Sequence, residues 1–299
     1  MRHKLEFAPV WLLMRVIGAL PRPLARAAGI SIGLLVYLVH PRLRAVGMRN
    51  LQIAFPEKSP AWRRAIVREV FISLGRQLAE FCLFPRYTRE NLREVMIYDG
   101  FENFENARRL SKGVLFLTAH LGAWELGSFA HSLHGNRMNI VVRGLDNPYL
   151  DRLVDRYRKL HGNQTFGKQD FARGLIGAMQ KGETVGLLMD TNMTPPQGVF
   201  VNFFGVLACT ASGAAKVALH TGAAVVPAFT IWDPALGKYR VRFDPALTLV
   251  RTGDAEADAI ANTAAFNLII EGYVRKYPSQ WLWVHRRWKA RPDGQPPLY

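Results

Sequence analysis

The chain has 299 residues, of which 49% are hydrophobic and 21% are charged, a composition that excludes a disordered protein. Its length predicts one large α/β domain, or two small ones, with a self-sufficient core, and its two cysteines exclude a disulfide-rich scaffold. No Cys-x-x-Cys or His-Glu-x-x-His motif occurs, so we expect no metal. The net charge of +16 favours an anionic partner, such as nucleic acid, anionic lipid or an acidic protein.

Two apolar runs, residues 7–20 and 27–40, begin the chain. Each has about 14 residues, whereas a membrane-spanning helix needs about 20. Basic residues are frequent here and Glu6 is the single acid of the first fifty positions, which suits a segment in a membrane interface. We therefore predict a membrane-associating helical segment at 1–45 and a separate α/β domain at 46–299. The alternative is a pair of helices packed on that domain, and Gly29 and Gly33 permit close helix packing.

A regular alternation of helix and strand follows. Ser59 and Pro60 begin a helix whose apolar stripe extends to Cys82, which we expect in the core. Apolar runs predict buried strands at 113–118, 138–143, 184–189 and 224–231, with a further strand at 239–243. Helices are predicted at 123–134, 148–161, 169–180, 210–221 and 256–276. The pattern predicts an α/β fold with a mostly parallel mixed sheet flanked by helices on both faces.

Polar side chains follow three of the predicted strands. His120 comes after the first, Arg143 after the second and Asp190 after the third. Ligands of such sheets bind beyond the carboxyl ends of the strands, so we expect these side chains to share one edge. Each of them alone is more often structural, and only their joint placement indicates a site.

These residue types suit acyl transfer to a hydroxyl group. A neutral imidazole, here His120, can take the proton of an alcohol as the alcohol attacks a carbonyl. Glu125, five residues on, would hold the other ring nitrogen, and Gly122 would allow the tight turn that brings both groups to the site. Free N–H groups of a helix starting near Ala123 would stabilise the oxyanion. Arg143 would hold a phosphate or support that oxyanion.

Four blocks of the chain resemble the bacterial lipid A biosynthesis acyltransferases, a family within the glycerolipid and lysophospholipid acyltransferase superfamily. The first is HLGAWE at 120–125, a His-x4-acid motif, and the second begins with RGLDNP at 143–148. The third combines MDTN at 189–192 with GVFVNFFG at 198–205, and the fourth is YPSQWLWVHRRWK at 277–289. The blocks occur in the family's order, and the resemblance extends over roughly residues 40 to 292.

The resemblance implies an enzyme on the cytoplasmic face of the bacterial inner membrane, without a cofactor. It would transfer a fatty acyl chain from acyl carrier protein, or from acyl-CoA, to a hydroxyl of a lipid A precursor. His120 would be the general base and Glu125 its carboxylate partner. The residues implied in substrate binding are Arg143, Asn147, Asp190, Asn192 and Gly122. The lipid acceptor, the anionic membrane and acyl carrier protein are all polyanions, which agrees with the basic charge.

Other functions stay open at this point. Relatives in the same family acylate other glycolipids, such as mannosylated phosphatidylinositol, and water in place of the acceptor would make the chain a thioester hydrolase. A non-enzymatic binder of anionic membranes is a third possibility. Nucleic acid is not expected, because no helix-turn-helix, zinc-finger or RNA-binding signature occurs. The C-terminal run 286–289, RRWK, mixes cations with an aromatic ring and is expected near lipid headgroups.

Overall fold

The computed structural model of the protein describes residues 2–167 and 171–299. Four helices begin the chain: α1 (Arg2–Ala19), α2 (Arg22–Val39), α3 (Pro41–Ala54) and α4 (Pro60–Leu83). The side chain of Ser59 accepts a hydrogen bond from the backbone N–H of Trp62 at 3.2 Å, so the predicted start of α4 is confirmed. Cys82 lies in the core, as expected.

Further helices and strands follow to the C-terminus, alternating up to β5. The elements are α5 (Arg89–Leu92), β1 (Met96–Asp99), α6 (Phe101–Arg109), β2 (Val114–Thr118), α7 (Trp124–Leu133), β3 (Met138–Val141), α8 (Pro148–Arg158), β4 (Gln164–Phe166), α9 (Phe171–Gln180), β5 (Thr184–Leu188), β6 (Gly198–Phe203), β7 (Val206–Ala211), α10 (Gly213–Thr221), β8 (Ala224–Asp233), β9 (Lys238–Phe243) and α11 (Ala255–Lys276). All five predicted strands are present. The helix predicted at 169–180 is α9, and positions 169 and 170 lie outside the described residues.

Seven strands form one sheet in the order β1-β9-β8-β2-β5-β3-β4. Every pairing in it is parallel except β8 with β9, so the predicted mixed, mostly parallel sheet is confirmed. Side chains of β2 alternate between two core clusters, with Leu115 and Leu117 on one face and Val114 and Phe116 on the other. Both faces of the sheet are therefore buried, as in other sheets covered by helices on two sides. The β6–β7 hairpin forms a separate antiparallel ribbon.

The N-terminal helices pack on α4 through glycines. A Cβ atom at Gly29 would overlap the carbonyl oxygen of Gly75, and one at Gly33 would overlap that of Phe71. The backbones of α2 and α4 therefore touch, which is the close packing that the glycine spacing permits. By length and composition alone, α2 is also the one helix of the described residues that could cross a membrane.

Candidate active site

The loop after β2 carries His120 and is held from two sides. Gly122 has a φ of +62°, and a Cβ there would overlap the carbonyl oxygen of Thr230 on β8. The N–H of Gly122 donates to Gln280 O at 2.9 Å, and the N–H of Ala123 donates to Thr230 O at 2.8 Å. The predicted tight turn is thus confirmed. Both amides are already bonded, so the free N–H groups of α7 begin at Trp124.

His120 lies against Asp190, which follows β5, the neighbour of β2 in the sheet. The imidazole Nδ1 is 2.8 Å from Asp190 Oδ1, and the backbone N–H of His120 donates to Oδ2 at 2.9 Å. The Asp190 side chain is 2% exposed, whereas the imidazole is partly open to solvent. This is the shared strand edge that the sequence predicts for the two residues.

The pair shifts the pKa of both groups. Burial works to lower the pKa of His120, but the adjacent Asp190 carboxylate outweighs it, and the pKa is raised above its usual value. Burial works to raise the pKa of Asp190, and the imidazole and the hydrogen bonds it accepts reverse the direction, so that it is lowered. Asp190 is therefore ionised and stabilises a protonated imidazole at His120.

A segment near the C-terminus completes this network. The indole N–H of Trp281 donates to Asp190 Oδ2 at 2.7 Å, and the N–H of Leu282 donates to the carbonyl of His120 at 3.0 Å. Trp281 is buried. With these contacts, both carboxylate oxygens of Asp190 accept hydrogen bonds. Sequence reasoning assigned no role to Trp281, because a tryptophan in an aromatic-rich stretch gives no sign of the acceptor its N–H will meet.

Glu125 has a different partner from the one expected. The carboxylate on Nδ1 of His120 is Asp190, and Glu125 in the first turn of α7 forms a forked ion pair with Arg158 of α8. Arg158 Nε donates to the two Glu125 oxygens at 3.0 and 3.2 Å. The turn at Gly122 places Glu125 on the helix rather than beside Nδ1. Glu125 is still close enough to His120 for its charge to raise the imidazole pKa.

The other predicted substrate-binding residues occupy separate places. Arg143 lies just after β3 at the predicted strand edge, but it is exposed and makes no ion pair with any residue in 2–167 or 171–299. Asn147 caps α8 by accepting from Tyr149 N at 3.0 Å and donates to His3 O at 2.9 Å, which ties α8 to α1. Asn192 binds the C-terminal segment, since its N–H donates to His285 Nε2 at 3.0 Å.

The basic run near the C-terminus is partly buried, so two of its four residues are unavailable to lipid headgroups. Arg287 and Trp288 are both fully enclosed. The Arg287 guanidinium donates to Cys209 O at 2.8 Å, and burial lowers its pKa to about 10. These two residues therefore pack behind Asp190, whereas Arg286 and Lys289 of the same run are exposed.

Known proteins resemble the chain along nearly its whole length. Residues 3–290 match the family model described as bacterial lipid A biosynthesis acyltransferase. The lipid A biosynthesis lauroyltransferase of Escherichia coli (strain K12) is 29% identical over 97% of this chain and 92% of that protein. The palmitoleoyltransferase of the same organism is 28% identical over 94% of this chain and 90% of that protein. Its myristoyltransferase is 26% identical over 82% and 75% of the two chains.

Proposed function

The chain belongs to the bacterial lipid A biosynthesis acyltransferase family and is an acyltransferase, and from that premise we propose that it transfers a fatty acyl chain from a thioester to a hydroxyl of a lipid A precursor. The thioester donor is acyl carrier protein or acyl-CoA. The observation that carries the proposal is the pair His120–Asp190, a partly open imidazole on a buried carboxylate at the carboxyl edge of the sheet.

His120 acts as the general base in this proposal. Its Nε2 takes the proton of the acceptor hydroxyl while the hydroxyl oxygen attacks the thioester carbonyl carbon. Asp190 accepts the hydrogen bond of Nδ1–H, which fixes the tautomer and stabilises the imidazolium. The tetrahedral intermediate then expels the thiolate, which takes the proton back from His120. The products are an acyl ester and a free thiol.

Two further groups act on charge that develops during transfer. Glu125, held by Arg158, adds a second negative charge near the imidazolium without contacting Nδ1. The N–H groups at the start of α7, from Trp124 onward, supply donors for the oxyanion. Arg143, exposed at the same edge, is assigned to one phosphate group of the acceptor, where its charge costs no desolvation in the free enzyme.

Membrane association is assigned to residues 1–45, with the protein on the cytoplasmic face of the inner membrane. More than half of the large apolar side chains that the described residues expose lie in α1 and α2. They include Trp11 and Leu12 of α1, and Leu35 and Leu38 of α2. Exposed apolar surface on this scale is unfavourable in water and is typical of a helix pair lying in the interface of a bilayer. A strongly basic chain is further drawn to the anionic leaflet.

Mass spectrometry of glycolipids tests the proposed reaction. Cells lacking this protein are complemented with the wild type, with His120→Ala, or with His134→Ala as a control, an exposed histidine at the other end of α7. We expect wild type and control to add one acyl group to the lipid A precursor, and His120→Ala to add none. Free fatty acid without an acylated lipid would instead identify a thioester hydrolase, and an acylated glycolipid of another class would replace the proposed acceptor.

A further inference from the structure

A group of basic and aromatic side chains lies where α2 and α4 meet the outer end of β8, and the proposed chemistry does not use it. Arg26 of α2 and Arg76 of α4 both stack on the indole of Trp232, with guanidinium carbons 4.3 and 4.4 Å from the ring centroid. Tyr239 of β9 pairs with Trp232 in the sheet, and the two ring centroids are 5.1 Å apart. We call these four residues the arginine–tryptophan cluster.

Glu80, a carboxylate near this cluster, is already occupied. Glu80 of α4 is buried and accepts hydrogen bonds from Arg22, at 2.8 Å from Nη2 to Oε1, and from the hydroxyl of Tyr87. The guanidinium groups of Arg26 and Arg76 make no ion pair and no hydrogen bond with any group in residues 2–167 and 171–299. Two positive charges therefore share one ring without a counter-charge of their own.

Three hydrogen-bond donors of the cluster are buried without an acceptor in the described part of the chain. They are the Nε atoms of Arg26 and Arg76 and the hydroxyl of Tyr239. Tyr239 is only 1% exposed, so bulk water does not solvate it freely. An unpaired buried donor and two adjacent like charges are each unfavourable. An anion with several acceptor oxygens would accept hydrogen bonds from these donors and balance the two positive charges.

The number of donors favours phosphate over carboxylate. Each guanidinium presents a fork that fits two oxygens of an oxyanion, and the Tyr239 hydroxyl adds a further donor. A carboxylate has two oxygens, which one fork satisfies. A phosphate group has enough oxygens to meet both forks and the hydroxyl together.

The position of the cluster indicates where that phosphate comes from. Leu24, two residues before Arg26 on α2, is one of the exposed apolar side chains assigned to the membrane. On the other side, Gln280 bonds the backbone N–H of Trp232 at 2.8 Å through its side chain, and its carbonyl accepts from Gly122 in the His120 loop. The cluster therefore lies between the lipid-facing helix and the loop that carries the proposed base.

We propose that Arg26, Arg76 and Tyr239 form a binding site for the phosphate group of a lipid. Two lipids offer that group: the phosphorylated acceptor, an identification that rests on the proposed function, and an anionic phospholipid of the bilayer. Bound acceptor phosphate would fix the glycolipid relative to His120. Bound phospholipid would instead fix the enzyme on the membrane.

Thermal melting of the full chain tests whether the cluster binds phosphate, and it does not depend on acyl transfer. Inorganic phosphate is compared with chloride at equal ionic strength for wild type, Arg26→Gln, Arg76→Gln and Tyr239→Phe. Arg108→Gln is the matched control, because Arg108 also stacks on a ring, that of Phe104, but has a hydrogen-bond acceptor in Asn136. We expect phosphate to raise the melting temperature of wild type and control, and to bind the arginine variants at least about tenfold more weakly.

Tyr239→Phe gives a second, independent prediction. Because this change removes an unpaired buried hydroxyl, we expect a melting temperature at or above that of wild type in chloride and a smaller gain on adding phosphate. The proposed site is rejected if phosphate stabilises all variants equally, or if phosphate does not stabilise the wild type. Either result leaves the acyl-transfer proposal untouched, since no reaction is measured.

Vesicle flotation identifies the lipid. Phosphatidylcholine vesicles carry a lipid A precursor, the same precursor after phosphatase treatment, or phosphatidylglycerol. If the acceptor fills the site, the Arg26→Gln/Arg76→Gln double variant loses binding only to vesicles with the phosphorylated precursor. If a bilayer phospholipid fills it, binding to phosphatidylglycerol vesicles falls as well. Unchanged binding to all three vesicles rejects a lipid phosphate as the ligand.

Discussion

The site around His120 and the cluster around Trp232 are both assembled from charged groups that are distant in sequence, but they are completed to different degrees. Around His120 the chain supplies both partners of each interaction: Asp190 accepts from the imidazole, from a backbone amide and from Trp281. In the arginine–tryptophan cluster the polar side chains are donors, and Arg26 and Arg76 meet no acceptor in the described residues.

The difference reflects what each region must do. A general base has to be in one tautomer and one orientation before substrate arrives, so its polar partners are built in and buried. A binding site gains affinity from groups that are left unsatisfied until the ligand arrives, because the ligand then replaces poor solvation with direct hydrogen bonds. The first region should therefore be sensitive to loss of any partner, and the second should respond mainly to its ligand.

The largest effect is expected from removing the imidazole. His120→Ala should lower turnover at least about a hundredfold, the low end for loss of a general base. The side chain is partly open and, among the described residues, makes one polar contact, with Asp190, so the fold should remain intact. Single-turnover acyl transfer measures the loss, and circular dichroism checks the fold. Near-normal turnover in a folded variant would exclude His120 as the base.

The next effect concerns the pH dependence. Asp190→Asn should lower turnover less than His120→Ala and should move the acidic limb of the rate profile to lower pH. Asp190 raises the pKa of His120, whereas burial lowers it. Removing the carboxylate leaves burial dominant, so the imidazole stays neutral down to a lower pH. Rates measured over a series of pH values test this prediction. If the acidic limb of Asp190→Asn stays at the pH of the wild type, the two residues are not directly coupled.

Residue types and strand ends in the sequence were enough to predict the sheet, the edge that carries His120 and Asp190, and the turn at Gly122. They were not enough to predict which carboxylate meets Nδ1. Glu125 is nearer in sequence, but contact across the sheet depends on the pairing of β2 with β5, which brings position 190 to position 120. No role was predicted for Arg158 or Trp281 for the same reason, because their partners come from other elements. The short strands β1 and β4 lack the continuous apolar run on which the prediction relied.

A smaller effect is expected from the second carboxylate. Glu125→Gln should lower turnover about tenfold, because it removes a negative charge near His120 and breaks the forked ion pair with Arg158. Its acidic limb should move in the same direction as that of Asp190→Asn, but less far, since Glu125 acts through space. Paired pH profiles of the two variants make the measurement. A larger shift in Glu125→Gln would make Glu125, rather than Asp190, the principal partner of the imidazole.

A further prediction concerns the exposed apolar surface of α2, which lies beside the arginine–tryptophan cluster. Leu38→Glu on α2 should weaken binding to vesicles several-fold, because burying a charge in the interface opposes apolar insertion. Leu268→Glu on α11 is the matched control, since Leu38 is 67% exposed and Leu268 is 68% exposed. Deleting residues 1–45 is a poorer test, because α2 packs on the backbone of α4 at Gly75. Equal flotation of both variants would place the membrane contact elsewhere.

The smallest effect on stability is expected at Arg143, which belongs neither to the hydrogen-bond network around His120 nor to the arginine–tryptophan cluster. It is exposed and has no ion-pair partner among the described residues, so Arg143→Met should leave the melting temperature nearly unchanged, within about 0.5 kcal/mol of unfolding free energy. Arg143→Lys keeps the charge and loses the fork, so it should lower acyl transfer if Arg143 meets an acceptor phosphate. Melting and activity of both variants separate the roles. A clear loss of stability in Arg143→Met would indicate a structural contact, and full activity in Arg143→Lys would exclude forked phosphate binding.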